Sequence, residues 1–189
     1  MNNFLDKDTR KDTFSKEAAL PATWVIRARY LKYTADRIDC TSNEGMSRLV
    51  WVNYMLMGMA IESLIKGHMI YRGIEPFDKK EGGNIRNNNA FKSHDLHILA
   101  EKIACPALPI STEELELLEK LSEFVKWVVR YPVPLNAYKM GPKQASLIEY
   151  NKIQELYSRL HEPFLVKEPG TILMGLAPVG MAGGAAKRK

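Results

Sequence analysis

Two opposite charges interrupt the most apolar stretch of the chain. Within Arg48 to Gly73, RLVWVNYMLMGMAIESLIKGHMIYRG, steps of three or four residues join Trp51, Met55, Met59, Glu62, Lys66 and Met69 on one helical face. Glu62 and Lys66 thus fall at core positions, with the acid four residues before the base. On an exposed helix that order contributes only about 0.2–0.5 kcal/mol. In a buried stripe each charge suffers a desolvation cost of several kcal/mol, and losing one partner costs about 3–5 kcal/mol because the other stays unpaired. The pair is either a structural brace or one wall of a polar pocket, since perturbed ionisable groups occur in both.

Arg130 and His94 are the other residues with chemistry to offer. Arg130 precedes the turn YPVP, and a cation at a helix C-terminus contributes roughly 0.3–1 kcal/mol without any ligand. Held by the rigid Tyr-Pro-x-Pro turn, its planar guanidinium also suits phosphate or carboxylate. Tyr131 beside it either stacks on a base or covers the end of the fold. His94 and Asp95 follow Ser93, a capping residue, and so fall in the first turn of a short helix. There Asp95 is favoured by the helix dipole and a charged imidazole is not. His94 is read as a neutral histidine in an acidic first turn or as a group at the mouth of a site. No Ser-His-Asp order, paired-carboxylate signature or glycine-rich phosphate loop is present; Gly82 to Asn84 lacks the strand and helix that such a loop requires.

Five helices must position these groups. The first spans about Pro21 to Asp39, with Trp24, Ala28, Leu31, Ala35 and Ile38 at helical spacing and Arg27, Arg29, Lys32, Asp36 and Arg37 on its other faces. Those charges read as a solvated surface, and a nucleic-acid stripe would need them to join others in space. The second, described above, is apolar on all faces, as a central bundle helix is, and Gly73 is suited to a left-handed cap after it. From Asp78 to Ser93 the chain reads DKKEGGNIRNNNAFKS, an aperiodic loop expected to be disordered or functional. The third helix runs from Ser93 to Ala104 with Leu96, Leu99, Ala100 and Ile103 inside. The fourth opens on a capping box, Ser111 and Glu114, and buries Leu117, Leu118, Leu121, Phe124, Val125, Trp127 and Val128 before Pro132 and Pro134 end it near Arg130. The fifth runs from about Lys143 to Glu162 and is stopped by Pro163. The fold class is all-α, a four- to five-helix up-and-down bundle with flexible termini. Residues 1–15 are a disordered segment, 16–163 the bundle, and 164–189 a Gly, Ala and Pro-rich tail with a basic end, read as flexible rather than as a membrane anchor.

With 189 residues the chain suits one domain. A hydrophobic fraction of 46% and a charged fraction of 26% are ordinary for a soluble globular protein. A formal charge of +5 and a pI near 9.1 permit contact with nucleic acid without demanding it. Leu49 to Ile61 is too short to cross a bilayer, which needs roughly 20 apolar residues. Cys40 and Cys105 form no Cys-x-x-Cys motif and the start of the chain is polar, which fits a cytoplasmic location. His68, His94, His97 and His161 are too scattered for a zinc signature, so neither a metal nor another cofactor is expected.

The ordered features YMLMGMAIESLIKGHMIYRG, with Glu-x-x-x-Lys in an apolar second helix, a variable loop, SHDLHILAEKIA, and a long helix ending VKWVVRYPVP resemble the HEPN superfamily of small α-helical domains. The resemblance covers about Trp24 to Leu160. It implies a bundle of four or five helices, commonly a homodimer. Many such proteins are metal-independent ribonucleases in toxin-antitoxin, phage-defence or RNA-processing systems, and others are inactive binding or interaction domains. An antitoxin or a nucleotidyltransferase-like protein is the kind of partner implied. Active members carry Arg, four to six residues, then His. Here Arg130 has no histidine after it before His161, Asn136 stands where one would fall, and Arg86 lies one residue too far from His94. The resemblance therefore implies a domain with a pocket of Glu62, Lys66, His94, Asp95, Arg130 and Tyr131 that binds RNA or a nucleotide or serves as an interaction module. The alternative is a divergent endoribonuclease in which Arg130 stabilises phosphate and His94 transfers protons.

Overall fold

The computed structural model describes residues 13, 15–38, 46–79, 85–128 and 147–166. Its helices are α1 (Pro21–Ala35), α2 (Met46–Tyr71), the short α3 (Asn89–Lys92), α4 (Leu96–Ile103), α5 (Thr112–Glu123) and α6 (Leu147–Val166). A π-helical turn, Phe124–Val128, continues α5. The architecture is all-α, and all five helices expected from periodicity are present.

The central helix, α2, is packed against α1, α4, α5, the π turn and α6. Nine consecutive residues of it, from Ile61 to Met69, are buried, as an all-round apolar sequence requires. Met57, Ile61, Leu64, Ile65 and Met69 meet Val25 and Ala28 of α1, Leu96, Leu99 and Ile103 of α4, Leu118 and Leu121 of α5, and Ile153, Leu156 and Leu160 of α6 in one core. Gly73 closes α2 at φ 81°, the left-handed conformation that a glycine adopts at little cost. Gly58 has a different reason to lack a side chain. A Cβ there would lie 2.6 Å from Val125 Cγ2, so the π turn can approach α2 only over a glycine.

Local hydrogen bonds fix the helix ends. The Glu114 amide donates to Ser111 Oγ while Glu114 Oε2 accepts from the Ser111 amide at 2.8 Å, the reciprocal box expected from the sequence. Glu114 Oε1 also receives Arg159 of α6, whose Nη1 donates to the Pro109 carbonyl at 2.7 Å. Asn53, a buried polar residue of α2, donates to the Ala35 carbonyl at 2.8 Å, where α1 ends.

Three expectations change. The segment after α2 is not aperiodic throughout. Phe77–Lys79 (β1) pairs antiparallel with Ile85–Asn87 (β2), Phe77 opposite Asn87. Asn88 then ties this ribbon to α3, since its amide donates to the Pro76 carbonyl and its Oδ1 accepts from the Ala90 amide. The α4 cap is Asp95 rather than Ser93: Asp95 Oδ1 accepts from the Ile98 amide, and Ser93 Oγ accepts from the Asp95 amide. Ser93 therefore caps the cap, and His94 precedes the helix instead of sitting in its first turn. Finally, Pro163 does not stop α6, which continues to Val166. Its ring removes one amide donor, but Phe164 is buried against His68, with ring centroids 4.4 Å apart, and His68 Nε2 lies 2.7 Å from the Leu160 carbonyl. Tertiary packing holds the last turn in place. Apart from Thr13 and Ser15, the segment expected to be mobile at 1–15, and the tail beyond Val166, lie outside the described residues.

Candidate functional site

Glu62 and Lys66 stand one turn apart on α2, and both are buried, Lys66 at 3% exposure. Lys66 Nζ donates to Glu62 Oε1 at 2.6 Å. The surrounding helices exclude water from the ammonium, which lies 5.8 Å from the centre of the Trp24 ring of α1. Trp24 is fixed in turn by its indole N–H, 2.9 Å from the Ala18 carbonyl, and by Phe91 of α3, 5.8 Å between centroids. One lysine thus has an acid along its own helix and an aromatic face from a neighbouring helix.

His94 reaches the same carboxylate from the segment between α3 and α4. Its Nδ1 is 3.0 Å from Glu62 Oε2 and 3.2 Å from Oε1. A carboxylate can only accept, so the proton of a neutral His94 sits on Nδ1 and the Nε2 lone pair is left for another partner. The side chain of His94 is 41% exposed against 11% for Glu62. The three groups therefore form a graded line, an ammonium in the core, a carboxylate beneath the surface and an imidazole at the surface.

Asp95 belongs to a neighbouring arrangement. Its Oδ2 accepts from Lys126 Nζ of the π turn at 2.5 Å while Oδ1 caps α4. Partial burial pushes the pKa of this carboxyl up, but the Lys126 contact and the Ile98 amide outweigh it and hold the group below the ordinary carboxylate range. Asp95 thus positions the segment that carries His94. Beneath it, the Leu96 amide donates to Ser122 Oγ at 2.8 Å, fixing α4 on α5. Arg130 and Tyr131 lie outside the described residues.

Of the residues singled out in the sequence, Glu62, Lys66 and His94 come together, with Asp95 adjoining through the backbone. Trp24, Phe91 and Lys126 complete the surroundings and were not indicated by the sequence. Trp24 and Phe91 carried only an apolar signal, and the partner of Lys126 is 31 residues away. Among the described residues, no group of three or more His, Cys, Asp or Glu is placed to hold a metal ion, and no helix is long and apolar enough to cross a membrane. Comparison of the chain with protein-family models, curated proteins and solved structures finds no match.

Proposed function

We propose that this is a HEPN-like helical domain that binds RNA or a nucleotide at the His94 edge of the Glu62–Lys66 pair. The observation that carries this reading is the shared carboxylate: Glu62 holds a buried ammonium and a half-exposed imidazole at once. A structural ion pair needs no third member that opens to solvent. With Nδ1 held by Glu62, Nε2 is aimed away from the carboxylate, where it accepts from a ribose hydroxyl when neutral or donates to a phosphate oxygen when protonated. Arg130 and Tyr131 would add a guanidinium for the phosphate and a ring for the base.

Uridine 3′-monophosphate titrated into the full chain tests this reading through the His94 imidazole signals in an NMR spectrum. The expected result is a saturable shift of those signals, lost in Glu62→Gln and weakened by salt. Unchanged His94 signals at millimolar nucleotide would remove His94 from any such site.

The same dyad favours a second reading, a metal-independent endoribonuclease. His94 Nε2 would take the proton from a 2′-hydroxyl as its oxygen bonds to phosphorus and the bond from phosphorus to the 5′-oxygen breaks; the imidazolium would then return the proton to that 5′-oxygen. The products are a 2′,3′-cyclic phosphate and a 5′-hydroxyl. Arg130→Ala and His94→Ala should each abolish cleavage with the fold intact, and a wild-type protein that leaves a broad RNA pool uncut counts against turnover.

A further inference from the structure

The outward face of α1 carries a second arrangement that the His94 site does not use. Val25, Ala28 and Ala35 are buried against the core. On the opposite side, helical spacing brings Thr23, Arg27, Tyr30, Tyr33, Thr34 and Arg37 into one stripe, and all six are exposed. Tyr30 and Tyr33 retain 52% and 54% of their surface, large values for tyrosines in an ordered helix. The Arg37 guanidinium lies 3.4 Å from the centre of the Tyr33 ring, so its planar fork is already oriented beside a tyrosine that stays exposed.

Among the described residues no acid is paired with Arg27 or Arg37. The acid nearest in sequence, Asp36, is occupied by Lys32 at 2.6 Å and by Gln154 of α6 at 3.2 Å. Asp36 therefore belongs to the flank of the helix turned toward α6. Two adjacent tyrosines flanked by two cations, Arg27, Tyr30, Tyr33 and Arg37, follow one another over about 15 Å at helical rise, without a carboxylate among them.

We propose that this face of α1 is a docking track for single-stranded nucleic acid. Tyr30 and Tyr33 offer rings on which unpaired bases stack, and Arg27 and Arg37, at the two ends of the pair, meet the flanking phosphates. Charge complementarity selects a polyanion, and the exposed rings select one with free base faces, since a duplex keeps its bases stacked on one another. The track does not depend on the His94 site.

Fluorescence anisotropy with the full chain and a fluorescein-labelled twelve-residue oligouridylate tests it, alongside oligothymidylate of the same length and a twelve-base-pair RNA duplex. Expected is binding of both single strands over the duplex, with affinity falling steeply between 50 and 200 mM salt. Tyr30→Ala with Tyr33→Ala should weaken binding tenfold or more, and Arg27→Gln with Arg37→Gln should flatten the salt dependence. Circular dichroism melting verifies that these surface variants remain folded. Affinity unchanged in both double variants, or the absence of oligonucleotide binding at 50 mM salt, overturns the proposal. Phosphatidylserine vesicles bound through the same residues while oligonucleotides are not would also overturn it and assign the face to a membrane surface. His94→Ala separates the two readings: full oligouridylate affinity in that variant, with loss in the tyrosine variant, supports the track while removing His94 from binding.

Discussion

At the scale of single residues, the Glu62–Lys66 pair is best understood by removing its members one at a time and then together. Lys66→Leu leaves the Glu62 carboxylate with only His94, and Glu62→Leu leaves a buried ammonium with only an aromatic face. Each should destabilise the fold by about 3–5 kcal/mol in urea titrations. The double variant, with two well-packed leucines, should recover most of that loss. If the double variant is stable yet no longer responds to uridine 3′-monophosphate, the pair belongs to the site. A retained response makes it a brace. Histidines add a pH dependence of predictable sign. Burial holds the His68 imidazole below its ordinary 6.5, with Arg72 acting in the same direction and the Leu160 carbonyl opposing. Burial and Arg29 do the same for His161. The unfolded chain binds these protons first as pH falls, so the neutral rings contribute full stability above about pH 6.5 and lose it as pH drops through their lowered folded values. The urea midpoint should fall between pH 7.5 and pH 5, and His68→Gln with His161→Gln should flatten that slope. An unchanged slope in the double variant would acquit both histidines.

At the scale of elements, glycines on α2 give opposite expectations. Gly58→Ala places a methyl group against Val125 and should cost about 1–3 kcal/mol. Gly67→Ala meets Phe164, Trp24 and Pro21 at 3.5 Å or beyond, an ordinary contact, and should gain about 0.5–1 kcal/mol of helix propensity. Thermal melts of the two variants should move in opposite directions, and a stabilising Gly58→Ala would show that the π turn is free to shift. The last turn of α6 depends on Phe164, whose replacement by alanine should cost roughly 3 kcal/mol and raise amide exchange in residues 160–166 first. The sequence made the helices legible because their burial repeats at 3.6 residues: Leu96, Leu99, Ala100 and Ile103 are all fully buried as their spacing requires. It was less informative at ends. Ser93 and Asp95 are both good capping residues, and only the geometry of Ile98 chooses between them. Proline carries a strong local signal at 163, but a local signal does not include the Phe164 and His68 packing that overrides it. The site was legible as charges in the wrong place. Its assembly was not, because the contact from His94 to Glu62 spans 32 residues and leaves no periodicity.

At the scale of the whole molecule, a net charge of +5 is distributed unevenly. Inside, Glu62 answers Lys66. Between elements, Asp95 answers Lys126 and Glu114 answers Arg159. Among the described residues the cations on the outer face of α1 have no such answers, which is where an added polyanion gains most. The proposed His94 site and the proposed α1 track use different residues, and neither requires the other. A chain with both would hold RNA along a helix and act on it, or merely retain it, at a different edge.

The His68 contact to Leu160 also has a bearing on how the chain comes into being. These residues are 92 positions apart. A ribosome adding about 5–20 residues per second needs roughly 5–20 s to supply the second after the first. For that interval α2 has emerged without α6 to cover it, and its most apolar flank is open to solvent. Nascent chains halted before residue 147 should therefore be captured by chaperones, while chains extended past residue 166 should be released from them. Birth of this protein has a vulnerable interval, and α6 ends it.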